Sequence, residues 1–528
     1  MKKVYGMPVF GIVRDEVPVV ATEFGQIRGF TRDKVAIFKG IPYAGPAGGK
    51  RRFLKPGMVK PWEGVLDCTR NGLYAMQKGV SIGADPGPLA AYYKGKDVNS
   101  TGELEMQGED CLVLDVLTPG LDDQKRPVVF YIHGGGFATG SGTMVAAADS
   151  FCREEDIVVV GVNHRLNIFG YLYLGGFSEQ YRDSGAAGML DLVAALHWVK
   201  RNIAVFGGDP DNVTIMGESG GGMKVSTLMV MPAAKGLYHK AIVESGSGPI
   251  GLNSIENAEK VTDIVLQNLG LDRENWEEIL ALPAEKLLNS MENIGPMGFN
   301  PVADNVNIPD LTDSGFTYGD ASCSSGVPLL VGASEDESGL FVRIDETVTW
   351  EDLPGLVTDR GLGGPFSRIV VSEEKAEMLV KLFRECNKKN DSAFQTLVKM
   401  GSLYGVLTGG AFAHAMERSG CPDFKAPVYH YMNAYDSARP DDIRYGFAFH
   451  TCDLPLQLRI VQRDQDDWIS RIMASAWASF MRTGNPSTDR YPWPAFTDEK
   501  KETLIFDNNG MTRVEEDPYK KIREAFES

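Results

Sequence analysis

Short runs of apolar, β-branched and aromatic residues alternate along the chain with stretches carrying apolar residues at helical spacing. Residues 127–132 (P-V-V-F-Y-I) and 157–162 (I-V-V-V-G-V) are apolar without alternation. That pattern predicts strands covered on both faces. Residues 213–216, 241–243, 327–332 and 428–435 predict further strands. Residues 188–203 place Met189, Leu190, Val193, Leu196 and Val199 on one side and predict a helix. Residues 221–231 predict a buried helix. Residues 17–30 predict a hairpin with Gly25 at its turn. Strands alternating with helices predict an α/β fold with a mainly parallel central sheet. Chemistry in such folds collects in the crevice beyond the carboxyl ends of the strands.

No linker rich in Pro, Ser and Gly divides the 528 residues. A domain usually runs to about 100–200 residues, so one large domain over 1–528 is expected, with insertions at 78–107 and 252–295. Apolar residues make up 43% of the chain, enough to fill a large core. Acidic residues outnumber basic ones by 71 to 53, for a net charge of −18. A chain so charged lacks the basic footprint that nucleic acid or an anionic membrane requires. No apolar run reaches the roughly 18 residues of a membrane helix. The opening M-K-K-V-Y-G-M-P-V-F-G-I-V runs straight into Arg14, Asp15 and Glu16 and carries no A-x-A site. It is expected to be retained rather than cleaved. The seven cysteines include no C-x-x-C pair, which points away from zinc ribbons and thioredoxin-like chemistry. So sparse and odd a set predicts free thiols in a reducing, cytoplasmic setting.

Gly217-Glu218-Ser219-Gly220-Gly221 follows a predicted strand and precedes a predicted helix. This G-x-S-x-G context is a nucleophile elbow, where a strained turn pushes a serine hydroxyl into the crevice. The helix beyond it offers N–H dipoles to a developing oxyanion. His133-Gly134-Gly135-Gly136-Phe137 follows the strand at 127–132. Its glycines allow backbone amides to approach a substrate oxygen. Neither motif has the form of a phosphate-binding or dinucleotide-binding glycine loop. His133 is expected to be a structural hydrogen-bonding residue.

With these motifs in place the sequence resembles the type B carboxylesterases, the family that includes cholinesterases and bacterial p-nitrobenzyl esterases. The likeness runs from Phe38-Lys-Gly-Ile-Pro-Tyr-Ala44 through Glu109-Asp-Cys-Leu-Val-Leu-Asp-Val116 and Asn163-His-Arg-Leu166. It continues through 195–203 and Phe206-Gly-Gly-Asp-Pro210 to Arg482-Thr-Gly-Asn-Pro486 and Trp493-Pro494. The resemblance implies an α/β-hydrolase fold, with helical insertions over the active-site gorge. It also implies cofactor-free ester hydrolysis by a Ser-Glu-His triad, with no metal. There are three departures. Gly220 stands where the family has alanine, which should free the turn. Cys111 matches a cysteine that closes a loop by a disulfide, but the partner position reads Ala75-Met76-Gln77 and Cys68 aligns poorly, so the loop should be unstapled. The aromatic choline site has no counterpart between 78 and 107.

A serine needs a base, and the base needs an orienting carboxylate, in the chain order Ser, acid, His. His133, His164 and His197 precede Ser219. His239 follows it too closely, His414 falls in a helical pattern and His430 inside a strand. His450 lies in a loop beyond that strand, with Asp453 and Pro455 following as in the family. Glu335, Asp336 and Glu337 all follow the strand at 327–332. Position alone leaves the three in competition, with at least two expected to be solvated or structural. The resemblance places Glu337 in the triad, although Ser338 stands where the family has glycine. Glu218 is expected to be a buried structural carboxylate. The chain should therefore be a serine hydrolase acting on small to medium uncharged esters, with Ser219, Glu337 and His450 as triad. Gly135, Gly136 and Gly220 should form the oxyanion hole. A monomer is favoured. The same machinery would also suit amides, carbamates or lactones. A non-catalytic, partner-binding relative is the remaining reading, disfavoured because every catalytic residue type is present.

Overall fold

The computed structural model describes residues 17–78, 107–247, 252–295, 298–310, 322–342, 345, 347–362, 370–387, 389–436, 446–461, 463–508 and 512–528. The insertion expected at 78–107 lies almost wholly outside these residues. Among them, eleven strands form the central sheet. In chain order these are β1 (Phe30–Arg32), β2 (Val35–Pro42), β3 (Val113–Thr118), β4 (Arg126–Ile132), β5 (Val158–Val162) and β6 (Gly208–Glu218). Then come β7 (Lys240–Glu244), β8 (Leu329–Ser334), β9 (Val428–Ala434), β10 (Glu502–Asp507) and β11 (Arg513–Glu516). Their spatial order is β1-β2-β3-β5-β4-β6-β7-β8-β9-β10-β11. From β5 to β10 every neighbouring pair is parallel, and antiparallel strands border this block on both sides.

Both faces of the parallel block are covered, which explains the unbroken apolar runs. Val128, Phe130 and Ile132 point into one core, and Val129 and Tyr131 into the other. Burying each such side chain contributes roughly 1.5–3 kcal/mol, so apolar residues are favoured at successive positions rather than alternate ones. Helices Ala187–Asn202 and Gly220–Val230 pack on the first face through Leu192, Leu196, Val225 and Leu228. Helix Asp467–Thr483 covers the second through Met473, Trp477 and Phe480. This is the α/β-hydrolase arrangement.

The hairpin near the start forms between Val19–Thr22 and Gly25–Arg28. Its turn is made by Glu23 and Phe24, while Gly25 opens the second strand. Gly25 has φ of 150°, and a β-carbon there would lie 2.5 Å from the Trp62 indole nitrogen, so both the chain's path out of the turn and close packing call for glycine. The block at 252–295 is helical, with Ile255–Leu269 and Ala284–Asn289 as its α-helices. The sheet changes direction of growth at β4, since β5 lies on one side of it and β6 on the other. The loops after β4, β6, β8 and β9 therefore open into one crevice.

Candidate active site

Ser219 follows β6 directly and caps the helix Gly220–Val230. Its backbone lies at φ 57°, ψ −125°, a conformation that costs on the order of 1–3 kcal/mol. The surroundings enforce it. The Ser219 amide donates to the Glu244 carbonyl at 2.9 Å, and the Met223 amide donates to the Ser219 carbonyl at 3.1 Å. A β-carbon on Gly221 would lie 2.1 Å from the Ile132 carbonyl oxygen, so the helix can start only with the glycine there. Ser219 is half-buried at the crevice.

The glycine loop after β4 folds over this turn. Gly135 and Gly136 have φ of 84° and 61°, the left-handed region that disfavours a side chain. A β-carbon on Gly134 would come 3.3 Å from the Ser219 β-carbon, which places the loop directly above the serine. Among the described residues, no hydrogen bond takes the amides of Gly135 and Gly136. Gly220 opens its helix, where an amide has no partner one turn back. The three amides predicted from the sequence are thus brought to one place with hydrogen-bonding capacity to spare.

Glu337 and His450 meet across the ends of β8 and β9. Glu337 Oε2 takes the hydrogen bond of His450 Nδ1. Glu337 Oε1 accepts from the Ser245 hydroxyl at 2.6 Å and from the Ser334 amide at 2.7 Å. Both oxygens of that carboxylate are engaged, which fixes its rotamer and, through it, the imidazole. His450 is 6% exposed and lies against Phe341, ring centroids 5.1 Å apart. The other ring nitrogen, Nε2, faces Glu218 Oε1 at 3.3 Å.

Burial disfavours a charged imidazole, but the Glu218 and Glu337 carboxylates outweigh it and raise His450 to about 9. Burial drives Glu218 up to about 8, partly offset by His450. Each of the two groups favours the charged form of the other. Beneath them lie Glu244, which accepts from the Trp477 indole at 2.7 Å, and Asp453, which accepts from Tyr431 and Gln457, each at 3.0 Å.

Of the two roles expected for the carboxylates beside Glu337, solvated or structural, both take the structural one. Glu335 is 8% exposed and Asp336 5%. Lys389 and Lys399 reach Glu335 at 2.8 and 3.4 Å, and overcome the effect of burial to hold it ionised. Burial pushes Asp336 up, against the pull of Lys399. Asp336 accepts the Ala448 amide at 3.0 Å and donates its own amide to the Ala448 carbonyl. The competition among the three resolves by direction: Glu337 meets the imidazole, and its neighbours brace the loops.

Comparison with known proteins gives the family. Residues 16–524 match the Carboxylesterase family. The chain belongs to the carboxylesterase family. It is an ester-hydrolysing enzyme. It is 34% identical over 525 residues to the para-nitrobenzyl esterase of Bacillus subtilis (strain 168), covering 96% of this chain and 98% of the relative. A solved structure of a PNB esterase superposes with a TM-score of 0.75 at 32% identity, covering 97% of this chain and 100% of the other. An esterase from the anaerobe Clostridium hathewayi, described as able to hydrolyse aliphatic aromatic polyesters, superposes at 0.77 with 30% identity, covering 97% of this chain and 98% of that one.

In this carboxylesterase the remaining histidines lie away from Glu337, with His197 exposed on the helix Ala187–Asn202. His430 in β9 pairs with the Thr503 hydroxyl, and burial lowers it to about 3. His414 is buried in the helix Ala411–Gly420, and burial holds it well below its ordinary value. His239 accepts from the Val213 amide at 3.1 Å. His133 stacks on His164, ring centroids 4.8 Å apart, and its Nδ1 contacts the Gly134 carbonyl. Its structural role follows the sequence expectation. All seven cysteines are free. Burial pushes the Cys68 thiol up to about 12 and Cys111 higher still. Where the family's disulfide would close a loop, Tyr74–Ala75 pairs in parallel with Gln107–Gly108.

Two features escaped the sequence reading. Ser245 follows β7 at φ 47° and holds Glu337; the only sequence signal was a serine immediately after an apolar strand. Lys224 lies inside the helix after Ser219, completely buried, with nothing in the motif to announce it.

Proposed function

We propose that Ser219 is the nucleophile of this carboxylesterase, His450 its general base and Glu337 the carboxylate that orients the base. His450 takes the serine proton as Ser219 attacks the ester carbonyl, then returns it to the alcohol leaving group. The amides of Gly135, Gly136 and Gly220 receive the oxyanion. Water, activated by the same imidazole, releases the acid from the acyl-enzyme. The observation that carries this reading is the Glu337–His450 pair at the ends of β8 and β9, in the crevice that the strained Ser219 turn enters.

Small to medium uncharged esters suit the site, because the Glu337 carboxylate is already paired with His450 and offers a substrate no free charge. The chain works as one catalytic domain, supported by a single sheet from β1 to β11, and as a monomer. No described helix is long and apolar enough to cross a membrane. The free cysteines suit a reducing, cytoplasmic compartment.

A fluorophosphonate probe tests the assignment. Stoichiometric labelling at Ser219, abolished together with aryl-ester hydrolysis in Ser219→Ala, is the expected result. Hydrolysis surviving in folded Ser219→Ala protein overturns it.

A further inference from the structure

Lys224 is a fully buried lysine with no carboxylate partner among the described residues, one turn beyond the start of the nucleophile's helix. Burying an ammonium group is costly unless hydrogen bonds compensate it. Here Nζ donates to the His133 carbonyl at 3.1 Å and to the Gly136 carbonyl at 2.6 Å. It also lies over the Phe137 ring, 5.3 Å from the centroid. Burial lowers its affinity for a proton, to about 7.

The two carbonyls matter because of where they fall. The His133 carbonyl belongs to the peptide unit joining 133 and 134, and the Gly136 carbonyl to the unit joining 136 and 137. Between them lie just the two units that carry the Gly135 and Gly136 amides. Gly134, Gly135 and Gly136 separate the clamped ends, and a free segment of glycines would rotate readily. Lys224 ties both ends to the helix that begins after Ser219, so the donors and the nucleophile share one rigid body.

We propose that Lys224 is a positioning residue for ester hydrolysis, holding the Gly135 and Gly136 amides over Ser219 through their flanking carbonyls. The proposal rests on the assignment of those amides as the oxyanion hole. It also accounts for Gly220. That residue lacks a left-handed φ, so the turn does not need a glycine there for its torsions. A β-carbon at 220 would instead lie 2.4 Å from the nitrogen, α-carbon and oxygen of Gly136. The loop is drawn onto the elbow so closely that the family's alanine is excluded. Lysine at 224 and glycine at 220 are two halves of one arrangement.

The test is a double-mutant cycle on the full-length enzyme with Gly220→Ala and Lys224→Met, read with p-nitrophenyl butyrate and a trifluoromethyl ketone that forms a tetrahedral adduct. Removing one oxyanion donor outright costs about 10²–10³ in kcat. Loosening two should cost about 10- to 100-fold, with KM within about twofold and the ketone's affinity falling in step with kcat. A purely structural lysine would lower Tm and the fraction active, and would leave kcat per titrated site and ketone affinity unchanged; that result overturns the proposal. Gly220→Ala should be severe when Lys224 is intact and milder when combined with Lys224→Met, and equal costs on both backgrounds overturn it. If Lys224→Met does not fold, Lys224→Gln replaces it. Gly220→Ala alone, with Lys224 intact, decides independently: unchanged kcat shows that the loop is not held against residue 220 and the proposal falls. Ser219→Ala measured alongside separates this from failure of the nucleophile assignment, because residual hydrolysis there indicts the nucleophile and not the clamp.

Discussion

Asp336 accepts the Ala448 amide at 3.0 Å while its own amide donates to the Ala448 carbonyl at 2.9 Å. These two bonds fasten the loop bearing Glu337 to the loop bearing His450. Asp336→Ala leaves the buried Ala448 amide unsatisfied, at a cost of about 1–3 kcal/mol. Its melting temperature and turnover should both fall. Asp336→Asn keeps an acceptor oxygen and should recover most of both. Melting curves and site-titrated turnover for the pair of variants check this.

Glu337→Gln should behave differently. The amide keeps the shape but can stabilise the wrong imidazole tautomer, which in a comparable triad costs on the order of 10⁴ in turnover, about 5 kcal/mol. The melting temperature should change little by comparison. Glu335→Gln should do the reverse, weakening the Lys389 and Lys399 pairs while the chemistry survives. Turnover of a folded Glu337→Gln enzyme within about tenfold of normal would remove Glu337 from the triad.

The pH profile follows from the raised His450. The base must be neutral to accept the serine proton, so kcat/KM rises with pH. Because Glu218 and Glu337 favour the imidazolium, the rising limb should lie above the ordinary histidine value of about 6.5. Glu218→Gln removes one of those carboxylates and should move the limb down. Rates measured from acid to alkaline pH on both enzymes check the shift, and an unmoved limb would separate Glu218 from the base.

Arg165 and Asp191 form a buried fork, with Nη2 to Oδ1 at 2.6 Å and Nε to Oδ2 at 2.8 Å. Asp191→Ala should cost about 3–5 kcal/mol, because a guanidinium is left buried and uncompensated. Denaturant unfolding measures it. Replacing both partners by apolar residues should cost less than removing either one.

The thiols should divide by exposure. Cys68 and Cys111 are buried with raised proton affinity, whereas Cys323, Cys386 and Cys421 are partly exposed. A maleimide should label the second group in the native enzyme and the first only on unfolding. Reductant should leave activity intact. A Cys68–Cys111 crosslink in mass spectra would contradict this.

The sequence made the parallel strands and the elbow legible because both depend on local pattern. An apolar run covered on two faces and a glycine-flanked serine leave marks within a few residues. The pairing of Glu337 with His450 was legible only through family likeness, since the choice among three adjacent carboxylates depends on loop direction, which is set by Asp336 and Ala448 in the folded chain. The burial of Glu335 and Asp336 depends on Lys389, Lys399 and residues of the His450 loop, none of them nearby in sequence. Gly220 was read as freeing the turn, yet what it provides is room for Gly136, a contact between loops. Ser245 and Lys224 bond to partners on other elements, which local pattern marks weakly for the first and not at all for the second.

The order of strands also governs when activity can appear as the chain is made. Ser219, Glu337 and His450 follow β6, β8 and β9, and β9 is held on its far side by β10, residues 502–507. Translation thus delivers Ser219 long before His450, and His450 before the strand that secures β9. Pairings so distant in sequence form slowly. During that interval the edges of β8 and β9 are open to other chains, and a nascent polypeptide has greater need of protection from aggregation than of substrate. Ester turnover is therefore a report on completed folding, and a shortened chain ending before β10 should be both silent and prone to aggregate.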